Sequence, residues 1–141
     1  MQKVQHGFTV IELLAILAIV GLLAAVIIPA SIDATVKSQT DKAYKEVTAL
    51  KAAFEATVNE GQIPSLEASD PGFIGTPVPT SGEENVCAIS LTETTTITCK
   101  TQGGDPDRFN GNTISLIRNA EGKWSCATSG LDEKYIPEQC S

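Results

Sequence analysis

Between Phe8 and Ala30 the chain runs for 23 residues in which only Thr9, Glu12, Gly21 and Pro29 depart from plainly apolar side chains. As an α-helix that run measures about 35 Å, enough to cross a hydrocarbon core of roughly 30 Å. Nothing after residue 30 is like it: the remainder is polar and rich in Thr, Gly and Pro. The two parts therefore belong in different solvents, a split that the near-zero mean hydropathy of the whole chain conceals. A secretory signal has a shorter apolar run closed by a small-residue cleavage site. Here the helical pattern continues past the run, so the segment is expected to be retained. Lys3 precedes it and an acidic portion follows, which by the positive-inside rule places Met1 in the cytoplasm and the polar part across the membrane.

Glu12 is the informative residue within the run. A carboxylate there costs on the order of 2.5–3.5 kcal/mol near a helix centre, less towards an end. A nearby cation offsets that cost, and an α-amine on Phe8 lies one turn away. Such an amine exists only if the chain is cut between Gly7 and Phe8. The stretch G-F-T-V-I-E-L-L, running on through A-I-V-G-L-L-A-A-V-I-I-P, resembles the class III signal and amino-terminal helix of type IV pilins without interruption from Gly7 to Pro29. The resemblance implies cleavage after Gly7 by a prepilin peptidase and N-methylation of Phe8. It also implies that Glu12 pairs with the α-amine of a neighbouring subunit during filament assembly. Taken as bare residues, Gly21 and Pro29 weaken a helix by about 1 and 3 kcal/mol and read as a tolerated kink. The resemblance adds that the stretch between them loses helical order on assembly, which gives the fibre its flexibility.

Beyond Pro29 the apolar residues Val36, Ala43, Tyr44, Val47, Leu50, Phe54 and Val58 recur at helical steps. Opposite them run the i, i+4 pairs Asp33/Lys37, Asp41/Lys45, Lys42/Glu46 and Lys51/Glu55, which read as a solvated face. Asn59-Glu60-Gly61 with Pro64 beyond marks a helix end. One helix from roughly Phe8 to Glu60 is thus predicted, about 80 Å long. Residues 62–85, with Pro64, Pro71, Pro77 and Pro79 among Ser and Gly, read as a loop; the resemblance makes it the αβ-loop found at subunit contacts. Asn85–Leu91 with Thr94–Lys100, and Thr113–Arg118 with Lys123–Ala127 across Asn119–Gly122, read as two hairpins.

The four cysteines, 87, 99, 126 and 140, all lie in the polar part and read as two disulfides of a small exported domain. The sets Cys87/Ile89/Leu91 and Thr95/Ile97/Cys99 are symmetric about Glu93, so folding there sets Cys87 opposite Cys99. Of the three pairings that four cysteines allow, this register favours Cys87–Cys99 and leaves Cys126–Cys140. Independently, W-S-C, a thirteen-residue gap containing Pro137 and then Cys140 resemble the disulfide-bounded D-region of type IVa pilins. The Cys87–Cys99 staple is less usual in that family. Some of its members carry an O-linked glycan on a carboxy-terminal serine, which makes Ser141 a candidate acceptor. Trp124 reads as a core residue, and Tyr135 and Ile136 as filament contacts or loop packing.

The fold class expected is α+β: the type IV pilin fold, a long amino-terminal helix packed on a small antiparallel sheet with a disulfide-bounded loop. The predicted divisions are a leader at 1–7, a membrane-spanning and filament-core helix at 8–30, an amphipathic half at 31–60, and a head at 61–141. The head comprises the αβ-loop at 62–85, the sheet at 86–127 and the D-region at 126–140.

No catalytic constellation, cofactor motif or metal-ligand spacing is present, and the only histidine, His6, falls in the leader. No enzymatic activity is expected, and a formal charge of −7 weighs against direct binding of nucleic acid. The resemblance implies a structural subunit that forms a homo-oligomeric helical filament for adhesion, twitching motility or DNA uptake. The precursor waits in the inner membrane with its head in the periplasm, and an inner-membrane assembly platform builds it into an extracellular pilus. A minor pilin with a target- or DNA-binding head and a type II secretion pseudopilin are the competing roles.

Overall fold

Gly61 closes the long helix α1 (Val10–Asn59) with two backbone bonds. Gln62 N–H donates to the Thr57 carbonyl at 3.1 Å and Gly61 N–H to that of Val58 at 3.0 Å. This is a Schellman stop, and Gly61 supplies the left-handed backbone it needs, at φ +77°. In this computed structural model, residues 7–76 and 85–140 are described. The leader except Gly7, positions 77–84 of the loop, and Ser141 lie outside them. Four strands follow the helix: β1 (Cys87–Thr92), β2 (Thr96–Thr101), β3 (Thr113–Arg118) and β4 (Trp124–Ser129), with short 3-10 turns at Glu133–Tyr135 and Glu138–Cys140. The chain divides into two compact units, one ending at Ala34 and the other beginning at Thr35.

In the second unit, α1 buries Val36, Thr40, Ala43, Val47, Leu50, Phe54 and Thr57, alternating steps of four and three that keep one stripe inward. Tyr44 and Val58, expected on that stripe, are half-buried flankers. Thr40 and Thr57 take inward places because each hydroxyl donates to a carbonyl one turn back, Val36 at 2.9 Å and Ala53 at 2.8 Å. With the hydroxyl satisfied, only the methyl faces the core.

The sheet is an antiparallel meander in the order β1-β2-β3-β4. Its inward face supplies Cys87, Ile97, Cys99, Ile114 and Leu116 to the core, joined by Phe109 from the β2–β3 connection. The first hairpin departs from the expected register. Cys87 pairs with Thr101 and Ile89 with Cys99, so the centre of the turn is Thr94 rather than Glu93. A three-residue turn over 93–95 causes the shift, with Glu93 at φ +44° and Thr95 N–H bonded to the Thr92 carbonyl. Cys87 and Cys99 still share the inward face and are joined by a disulfide along the diagonal, with Cα atoms 5.0 Å apart. Strand β3 occupies its expected span, whereas β4 begins and ends later than expected.

Phe54 is fully buried, so Phe54→Ala is expected to lower stability by about 3–5 kcal/mol. An added Cβ at Gly61 meets nothing within 4 Å, so Gly61→Ala is expected to cost only the backbone term of about 1–2 kcal/mol. Thermal melts of the detergent-solubilised protein check both values and their order.

Candidate assembly site

The amino-terminal end of α1 is built around a reciprocal pair of hydrogen bonds. Gly7, Phe8 and Thr9 are non-helical, and the helix starts at Val10. Thr9 N–H donates to Glu12 Oε2 at 2.9 Å, while Glu12 N–H donates to Thr9 Oγ1 at 3.3 Å. This is a capping box: two donors that a helix start leaves unsatisfied are satisfied by each other's residue. Reading the run for hydropathy picks out Glu12 and passes over Thr9, although the T-x-x-E spacing was visible. Glu12 Oε1 has no hydrogen-bond partner among the described residues. Its negative charge stands in the first turn, where the helix dipole favours it.

Around this carboxylate the unit is uncovered. Phe8 is 84% exposed and Ile11 79%, and every large apolar side chain from Leu13 to Ile28 is at least 49% exposed. By length and composition the helix is able to cross a membrane, and no part of its apolar window is buried within the molecule. The helix runs unbroken through Gly21 and Pro29, and nothing lies within 4 Å of a Cβ placed on Gly21.

In the other unit, a clasp fixes the sheet to α1. Arg118 Nε and Nη2 donate to the two carboxylate oxygens of Glu55 at 2.9 and 3.2 Å, and the Trp124 indole N–H adds a third bond at 3.0 Å. Trp124 stands edge-on to Phe54 at 5.3 Å between centroids, with Lys51 Nζ 5.6 Å from its ring. Trp124 is thus a packing and hydrogen-bonding residue. The Arg118 hydrogen bond holds the Glu55 carboxyl below its usual range, against burial, with Trp124 and the charges of Arg118 and Lys51 adding to the lowering. Cys126 and Cys140 are joined by the second disulfide, with Cα atoms 4.7 Å apart. Inside that loop Tyr135 is only 2% exposed, so it packs the loop, and Pro137 is also fully buried. Among the described residues no group of three or more His, Cys, Asp or Glu is placed to hold a metal ion.

Comparison with known proteins places these features. Residues 36–141 match the family model described as pilin (bacterial filament), and residues 2–28 match the prokaryotic N-terminal methylation motif. The chain belongs to the type IV pilin family. A fimbrial protein of Pseudomonas aeruginosa is 32% identical to this pilin, over 98% of this chain and 97% of that protein. The type IV major alpha-pilin of Moraxella bovis is also 32% identical, over 96% of each chain. A probable minor fimbrial protein of Dichelobacter nodosus is 28% identical, over 98% of this chain and 96% of that one. With this fold and these relatives, the pilin is a structural subunit of a type IV pilus.

The Glu55 clasp makes a pH prediction. A carboxyl held lower in the folded chain than in the unfolded one binds fewer protons when folded, so its stabilisation is fully present above the unfolded value of about 4.3. It is lost as pH falls through the folded value. Wild-type pilin is therefore expected to melt above Glu55→Gln at neutral pH, with the two curves converging on acidification to about pH 3. Thermal denaturation across that range checks it.

Proposed function

We propose that this pilin is a principal fibre subunit, cut between Gly7 and Phe8 by a prepilin peptidase and N-methylated on Phe8. The uncovered apolar helix carrying one carboxylate supports this reading most directly. Before assembly the helix sits in the inner membrane with the head in the periplasm. An assembly platform then moves it from lipid into a filament of its own kind, which reaches the cell exterior and serves adhesion, twitching motility or DNA uptake.

The capping box supports a division of labour within Glu12. Cutting after Gly7 leaves the Thr9 N–H in place, so Oε2 keeps its local bond while Oε1 receives the α-amine of a neighbouring Phe8. In a low-dielectric filament core that attraction is poorly screened, and it gives an incoming subunit both direction and register. The continuous helix across Gly21 and Pro29 belongs to the isolated subunit, and those two residues are where it yields on assembly. The αβ-loop, residues 62–85, and the D-region, 126–140, supply head-to-head contacts, and Ser141 is a candidate glycan acceptor.

Two substitutions separate the parts of Glu12. Glutamine at the third helical position still completes a capping box, so Glu12→Gln keeps the helix start and removes only the charge, whereas Glu12→Val removes both. Both are expected to abolish sheared fibres while leaving the subunit in the membrane fraction; normal yield from Glu12→Gln refutes the ion pair. Intact mass of wild-type fibres is expected to show a subunit lacking residues 1–7, one methyl group heavier, and two hydrogens lighter for each of two bridges.

A further inference from the structure

The four strands contain no Asp or Glu, and their only charges are Lys100 and Arg118. Arg118 turns to α1 and is held by Glu55. The face turned away from α1 is therefore a lattice of small side chains with Lys100 as its one charge. The registers align Ser90, Thr98, Ser115 and Ala127 as one row across all four strands. Each of them is exposed or half-buried, and Ile117 in the next row is 38% exposed. Protein surfaces carry charge at roughly a quarter to a third of their positions; the twelve outward strand positions here carry it at one. The rest of the chain is acidic, with 17 Asp and Glu against 10 Lys and Arg.

We infer that this sheet face is where one pilus meets the same face of a second pilus, so that fibres associate side by side. The inference rests on the filament reading, since it needs many heads in a row. Approach through the surrounding loops brings exposed Glu93, Asp107 or Glu121 against like charges; approach through the sheet brings hydroxyls, methyls and one ammonium. In a face-to-face two-fold centred on the sheet, Lys100 falls opposite Thr113 or Thr96, never opposite its own copy. The strand spacings give the face an area of about 400 Å², half of the roughly 800 Å² per partner that a stable pair buries. Single heads therefore stay apart, and only an array repeated along a fibre holds by multivalency. A sugar polymer is the poorer occupant, because no aromatic ring lies on this face for it to stack upon: Trp124 is turned to Phe54. One lysine is too few for a nucleic acid.

The test compares purified wild-type fibres with the double variant Ser90→Asp and Ala127→Asp, by electron microscopy and low-speed sedimentation over a range of salt. Wild-type fibres are expected to bundle and pellet with little salt dependence. The variant is expected to yield as many fibres, to pellet several-fold less at low salt, and to recover in about 1 M salt, where screening shortens charge repulsion to roughly 3 Å. Should the double variant fail to assemble, Ser125→Asp on the same face is scored by the same criteria. Equal bundling by the variant overturns the inference, as do wild-type fibres that stay single at every salt concentration. Dispersal of wild-type bundles by soluble dextran also overturns it and marks the face as sugar-binding. Failure of wild-type chains to form fibres at all removes the filament reading beneath it.

Discussion

Fourteen large apolar side chains between Phe8 and Ile28 stand exposed on α1. Burying each is worth roughly 1.5–3 kcal/mol, so together they outweigh the 5–15 kcal/mol that holds an ordinary domain folded. That surface has two ways out of water, a bilayer or a stack of identical helices, and a pilin uses them in turn. Glu12 makes the turn directional. In lipid its charge is a penalty that the Thr9 capping bond offsets only in part, and a neighbouring cation removes more of it. The same residue thus disfavours the waiting state and selects the assembled one.

The second half of α1 solves a different problem. A four-stranded meander with one apolar face needs a cover, and the stripe from Val36 to Thr57 supplies it. A head this small has little core of its own, and two short covalent loops, spanning 12 and 14 residues, restrict its unfolded chain. The Glu55–Arg118–Trp124 clasp adds direction to the packing: three donor atoms converge on one carboxylate and set the sheet's position along the helix.

Much of this was legible in the residues because the governing periods are simple. The apolar run, the helical stripe and the stop at Gly61 each follow from side-chain spacing alone. What escaped did so for definite reasons. Thr40 and Thr57 count as polar until the helix exists to take their hydroxyls. The first hairpin slipped because alternation fixes which residues share a face and not which residue the turn pivots on; a shift by two keeps every side chain inward and moves only the partner. Glu55 was read as one half of a surface pair with Lys51, because Arg118 lies 63 residues away and only the folded sheet brings it near. Thr9 was missed because hydropathy scores side chains one at a time, and a capping box is a relation between two.

Neither disulfide includes a residue of α1. Cys87–Cys99 ties one hairpin to itself and Cys126–Cys140 ties the carboxy-terminal loop to the last strand, while the seam between helix and sheet is held by Phe54 and its neighbours and by the clasp, all non-covalent. When a fibre is pulled, tension enters each subunit through its helix. Traction that exceeds the strength of the seam therefore peels the sheet off its rod as an intact, still-crosslinked plate, and the plate re-seats when the load is released. The chemistry that keeps the head compact is separate from the chemistry that yields under strain.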